Sequence, residues 1–150
     1  MQYGVSKEWL QKKIDDGTDD AINSLIEGMS GEIEMTQQYV GTKIITGWEA
    51  EKDGQPGYGV KYSDGYTSWS PKATFEEAYI PLGHIENFPL HQQRVIAEKA
   101  ELDTRFSKLD AFLWTDIYSG LPTEERQRLY HQSSIMQEYS KILADRIAAF

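Results

Sequence analysis

Apolar residues recur every seven positions through the last sixty or so residues, and this repeat limits the fold more than anything else in the chain. Val95, Leu102 and Leu109 are seven apart, with Phe106 and Leu113 filling alternate turns. After a break at Tyr118-Ser119-Gly120-Leu121-Pro122 the spacing resumes in Leu129, Met136, Leu143 and Phe150, with Tyr139 and Ile147 between them. A 3.5-residue period is the mark of helices packed along a shared seam. Each helix of roughly 25 residues spans about 36 Å. The short break makes the two helices antiparallel neighbours. Phe112, Trp114, Ile117, Ile135 and Ile142 fall off the main seam, so two helices cannot bury all of their apolar surface against each other. The preceding β-rich segment and a second copy of the chain are both expected to cover the rest, since oligomerisation is the usual remedy for a thin core.

Upstream the pattern changes twice. Ser6 suits the cap of a short helix carrying Trp9, Leu10 and Ile14, and Thr18 the cap of a second carrying Ile22, Leu25, Ile26 and Met29. Residues 1–30 therefore read as a helical N-terminal segment. From about Gln38 the sequence is β-prone, through Tyr39-Val40, Lys43-Ile44-Ile45 and Trp48, and Gly54-Gln55-Pro56-Gly57 is turn chemistry. Tyr58-Gly59-Val60-Lys61-Tyr62 alternates, and Ser63-Asp64-Gly65 joins it to Tyr66-Thr67-Ser68-Trp69 as a β-hairpin. Pro71 ends the strand, and Thr74 with Glu77 forms a capping-box pattern for a short helix through Tyr79. Pro81-Leu82-Gly83 to Pro89 is a linker. The expectation is an α+β chain with short N-terminal helices (1–30), a small antiparallel β-sheet in a β-rich domain (31–88) and a long antiparallel helical hairpin (89–150).

Charge narrows the partners. The net charge is −9, with 7 Lys/Arg against 15 Asp/Glu in residues 1–88 and 8 against 9 in residues 89–150. Long-range attraction to DNA, RNA or an anionic membrane is not expected of such a chain. A small anionic ligand is still compatible, because a local pocket of Arg and Lys outweighs distant, screened charges. The chain has no cysteine, which removes disulfides and thiolate metal sites. The absence of an eighteen-residue apolar run, and an N-terminus without signal-peptide character, add to the expectation of a cytoplasmic protein.

No sequence motif announces an enzyme. A Walker loop, a nucleophile elbow and a His-Glu-x-x-His are all missing. His84, His91 and His131 share no metal-ligand spacing, and Gly54, Gly57 and Gly59 open no helix, so they form no dinucleotide fingerprint. Carboxylate pairs such as Glu76-Glu77 and Glu124-Glu125 suit the positive ends of helices. No catalytic residue, metal or cofactor is expected.

Two segments carry binding chemistry. In Asp64-Gly65-Tyr66-Thr67-Ser68-Trp69-Ser70-Pro71-Lys72, Trp69 beside Lys72 offers an aromatic surface and a cation, to which Trp48, Tyr58, Tyr62 and Tyr66 add. The plainer alternative is a hairpin with a core tryptophan. In Pro89 to Lys99, His91, Arg94 and Lys99 lie near a helix N-terminus whose backbone donors also suit an anion. Here the plainer alternative is a solvated face with an Arg94–Glu98 pair. Antiparallel packing would bring Arg146 to the same end.

The order of Leu90-His91-Gln92-Gln93-Arg94-Val95, Glu98-Lys99-Ala100-Glu101-Leu102-Asp103, Leu121-Pro122, Arg128-Leu129, Gln132, Met136, Tyr139-Ser140, Ile142-Leu143 and Arg146-Ile147-Ala148-Ala149-Phe150 resembles the helical hairpin domain of small phage proteins, the anti-CBASS and anti-Thoeris nucleotide sponges. The segment Asp64 to Lys72, continuing to Phe75-Glu76-Glu77-Ala78-Tyr79, also resembles short phage proteins. The resemblance implies a non-enzymatic sponge acting in the cytoplasm of an infected bacterium. Such proteins sequester cyclic oligonucleotides or cyclic ADP-ribose isomers and assemble through their hairpins into dimers and hexamers. Lys99 falls where that family has a ligand-contacting lysine; His91, Arg94, Trp69, Lys72 and Arg146 rest on the physical reading alone. The other reading open to an acidic chain is a module that masks a basic surface of a host protein and so inhibits it directly.

Overall fold

The computed structural model describes residues 36–150. The expected helices of residues 1–30 lie outside the described residues. The chain divides into two units, of which the second, Ile44–Phe150, lies wholly within the described residues. The second is α+β, with a three-stranded antiparallel sheet followed by a long helical hairpin.

The sheet consists of β1 (Thr46–Glu49), β2 (Gly57–Lys61) and β3 (Thr67–Pro71), in the order β1-β2-β3. Asp53 and Gly54 make the first reversal, with φ of 53° and 78°, while Lys52 and Gln55 exchange backbone hydrogen bonds across it. Positive φ at both central residues gives the turn whose twist matches paired strands. The turn expected at Gly54-Gln55-Pro56-Gly57 thus sits two residues earlier, at Lys52 to Gln55, and Gly57 belongs to β2. Gly65, with φ of 88°, makes the second reversal at the Asp-Gly that signals it.

Helix α1 (Lys72–Ala78) follows β3 without a loop. Its N-cap is Pro71, and no side chain caps it, so Thr74 lies inside the helix rather than opening it. The proline ring presets the backbone for the start of the helix two residues before the expected cap. Phe75 stacks on Tyr58 at 4.1 Å, and Tyr79 packs on Phe75 at 4.9 Å. A Cβ on Gly47 would meet the Phe75 ring at 2.8 Å, so the glycine makes room for it. Val60, at 1% exposure, is the buried centre of this side of the sheet.

The hairpin comprises α2 (Leu90–Phe112), a single turn α3 (Asp116–Ser119) and α4 (Thr123–Ala148). The break is longer than expected. It begins at Leu113, and Thr115 caps α3 by accepting a 3.2 Å hydrogen bond from the Tyr118 N–H. Val95, Leu102 and Leu143 are buried together, with Met136 and Ile147 packed against them. Leu129 is half-buried, and Phe150 meets Phe88 at 6.3 Å at the open end. On α4 the positions alternating with the heptad residues are Ser133, Ser140 and Ile147. Ser133 is buried, whereas Tyr139 stands at the edge with 39% exposure. Trp114, Ile117, Ile135 and Ile142 remain exposed, so the β-rich segment does not cover them as expected. Among the described residues no helix is long and apolar enough to cross a membrane.

Candidate functional site

The hairpin presents polar side chains at two places. The first lies in the open half, where α2 begins and α4 ends. Lys99 follows Val95 by four residues and precedes Leu102 by three, which turns it toward the seam, with 26% side-chain exposure. Its Nζ donates to Asp103 Oδ2 at 2.5 Å, and Ser140 Oγ donates to Asp103 Oδ1 at 2.5 Å from the facing helix. The hydrogen bond from Lys99, then that from Ser140, hold the Asp103 carboxyl below its ordinary value. Beside this layer Tyr139 donates its hydroxyl to Glu98. The Glu98 carboxylate raises the Tyr139 pKa through that bond, while the charge of Arg146 opposes the rise.

Arg146 lies seven residues beyond Tyr139 on α4, and only its charge is felt there. Arg94 lies one turn before Glu98, and its expected pairing with Glu98 does not form. His91 and Arg94 are exposed. Among the described residues, the side chains of His91, Arg94 and Arg146 make no hydrogen bond or ion pair. Lys99 stands apart from these three, because it is already held by Asp103.

The second place is the turn of the hairpin. Tyr118, Thr123, Arg126, Gln127 and Tyr130 line an open hollow of about 250 Å³. Tyr118 donates to the Arg126 carbonyl at 3.1 Å, and Arg126 Nη2 donates to Thr123 Oγ1 at 3.3 Å. Arg126 Nε is buried and finds no acceptor among the described residues. A buried donor without a partner is unfavourable unless something else supplies an acceptor. The sequence reading passed over Arg126. A cation in the first turn of a helix opposes the macrodipole, and that anomaly, between two tyrosines, was the available signal.

The sheet holds the remaining two residues of the sequence reading. Trp69 is half-buried; its Nε1 donates to the Ala50 carbonyl at 2.8 Å, and its ring covers Gly57. The cation over this ring is Lys52, at 5.8 Å, and not Lys72, which lies 3.9 Å from Glu76 on α1. Among the described residues no three His, Asp or Glu side chains gather as metal ligands.

Residues 89–149 match the model of the Sequestin family. The match begins one residue before α2 and ends one residue after α4, so it takes in the whole hairpin and none of the sheet. No curated protein and no solved structure matches the chain.

Proposed function

We propose that this protein is a phage-encoded sponge that binds cyclic nucleotide immune messengers, releases them unaltered and never cleaves them. The observation that carries the reading is the Sequestin match, which falls on the hairpin and on a family named for sequestration. The hairpin chemistry supports an anionic ligand with flat bases. Arg94, Arg146 and His91 lie toward one end, and Arg126 stands between Tyr118 and Tyr130 at the other. A cyclic dinucleotide carries two phosphates and two bases, and suits a site of cations and aromatic rings repeated across a two-fold axis. Lys99 joins such a site by exchanging Asp103 for a phosphate.

Assembly supplies the axis. Ile135 and Ile142 are 51% and 57% exposed and lie seven apart on α4, where a second hairpin would cover both. Light scattering of the full chain should give a mass above the monomer, and Ile135→Glu with Ile142→Glu should return it to the monomer. The ligand is tested by calorimetry against cyclic di- and trinucleotides and cyclic ADP-ribose isomers, followed by mass spectrometry of whatever the denatured protein releases. Heat with recovery of the intact ligand is the expected result. Absence of heat with every compound would sink the proposal. Capture of a host protein at fixed stoichiometry, with no retained nucleotide, would replace it with the acidic protein-binding module.

A further inference from the structure

The sheet has a second face that α1 does not cover. Strand alternation puts Trp48, Gly59 and Trp69 in one row across β1, β2 and β3, since Trp48 and Trp69 both pair with Gly59. Each indole rests on a glycine of β2. A Cβ on Gly59 would lie 2.2 Å from Trp48 Cε2, and a Cβ on Gly57 would lie 2.5 Å from Trp69 Cζ2. The two glycines thus let two indoles lie side by side against the middle strand. α1 sits on the opposite side, where Phe75 meets Tyr58 and Gly47. Trp48 stays 47% exposed, and its Nε1–H makes no hydrogen bond among the described residues.

The charges on this face have one sign. Lys52 stands over the Trp69 ring at 5.8 Å. Lys61, two residues beyond Gly59, is the charged strand residue on the same side, and Glu49 pairs with Tyr58 on the other. Neither lysine has an ion-pair partner among the described residues. Two lysines without an ion-pair partner beside an exposed indole, in a chain of net charge −9, call for a ligand that is both flat and anionic. A proline-rich peptide uses aromatic shelves too, but it has no use for the cations.

We propose that this face is a base-stacking site for a free nucleotide, separate from the hairpin. The base lies on Trp48, and its phosphate meets Lys52 and Lys61; Trp69 holds Lys52 in place and fixes the loop through Ala50. The test follows the indole N–H resonances of the full-length protein while AMP is added, with adenosine and a proline-rich decapeptide as comparisons. AMP should shift the Trp48 signal saturably, and adenosine should do so more weakly. Trp48→Ala and, separately, Lys52→Ala should weaken the AMP response by roughly tenfold or more. Lys52→Ala leaves the sheet packing intact and decides the matter if Trp48→Ala fails to fold. Lys99→Ala with Arg126→Ala should leave the AMP response unchanged, so failure of the hairpin site and failure of this one are distinguishable. No shift at millimolar AMP, or a shift given by the peptide alone, would overturn the proposal.

Discussion

The sheet and the hairpin solve the problem of a small core in opposite ways. In the sheet, large rings lie on glycines: Phe75 on Gly47, Trp48 on Gly59 and Trp69 on Gly57. Packing depends there on the absence of a Cβ. In the hairpin, aliphatic side chains meet along a seam that serines and a Lys99–Asp103 pair interrupt. Packing depends there on side chains being present. The sheet is therefore sensitive to added atoms, and the hairpin to removed ones. The hairpin is also the part that leaves more aliphatic surface uncovered, which fits it for a partner.

The largest effect should come from Leu143→Ala. The residue is fully buried, and its loss leaves a cavity between the helices, costing about 3–4 kcal/mol in urea denaturation followed by helical circular dichroism. A cost well under 1 kcal/mol would mean the seam collapses freely, and the contrast with the sheet would fail. Gly57→Ala should come next, at about 2–3 kcal/mol. Its new Cβ would lie 2.4 Å from the Ser70 carbonyl oxygen, which is backbone and cannot swing away. Gly59→Ala should cost less, because its new Cβ would meet the exposed Trp48 ring first, which can swing aside. Equal costs for the two would show that ring displacement, and not backbone, sets the penalty.

Asp103→Asn sharpens the hairpin side. Asp103 has a lowered folded pKa, so its stabilising contribution is complete above the ordinary value of 3.8 and fades as pH falls through the lower folded value. The unsubstituted hairpin should lose stability below that ordinary value, and Asp103→Asn should remove part of that acid slope. The same change frees Lys99 and should tighten cyclic dinucleotide binding by roughly twofold to fivefold in calorimetry. Unchanged or weaker binding would show that Lys99 does not exchange partners. Tyr139→Phe should have the smallest effect, barely moving the thermal midpoint, since its bond to Glu98 lies at the exposed edge. A larger loss on thermal unfolding would make that edge contact part of the core.

Much of this was legible in advance because it is periodic or local. The heptad residues foretold the paired helices, the short break between them foretold their antiparallel sense, and Asp64-Gly65 foretold the β2–β3 reversal. What escaped depends on residues far apart in the chain. Lys52 rather than Lys72 stands over Trp69 because the first turn folds it back across the strands. Lys99 is engaged because Asp103 on its own helix is braced by Ser140 on the other. Arg126 carries a local signal, a cation in the first turn of a helix, but its buried Nε without an acceptor is visible only in the fold.

The sequence by itself determined that the last sixty or so residues form two helices with excess apolar surface, since a seven-residue repeat has few other solutions in water. Only the tertiary structure decided what that seam contains. Heptad spacing identifies positions that face a partner helix, but whether Ser133, Ser140 and Lys99 meet water, each other or a ligand depends on register. Register is settled when Leu143, Leu102 and Val95 close on one another, and that closure also fixes which cations are left with no partner on the protein.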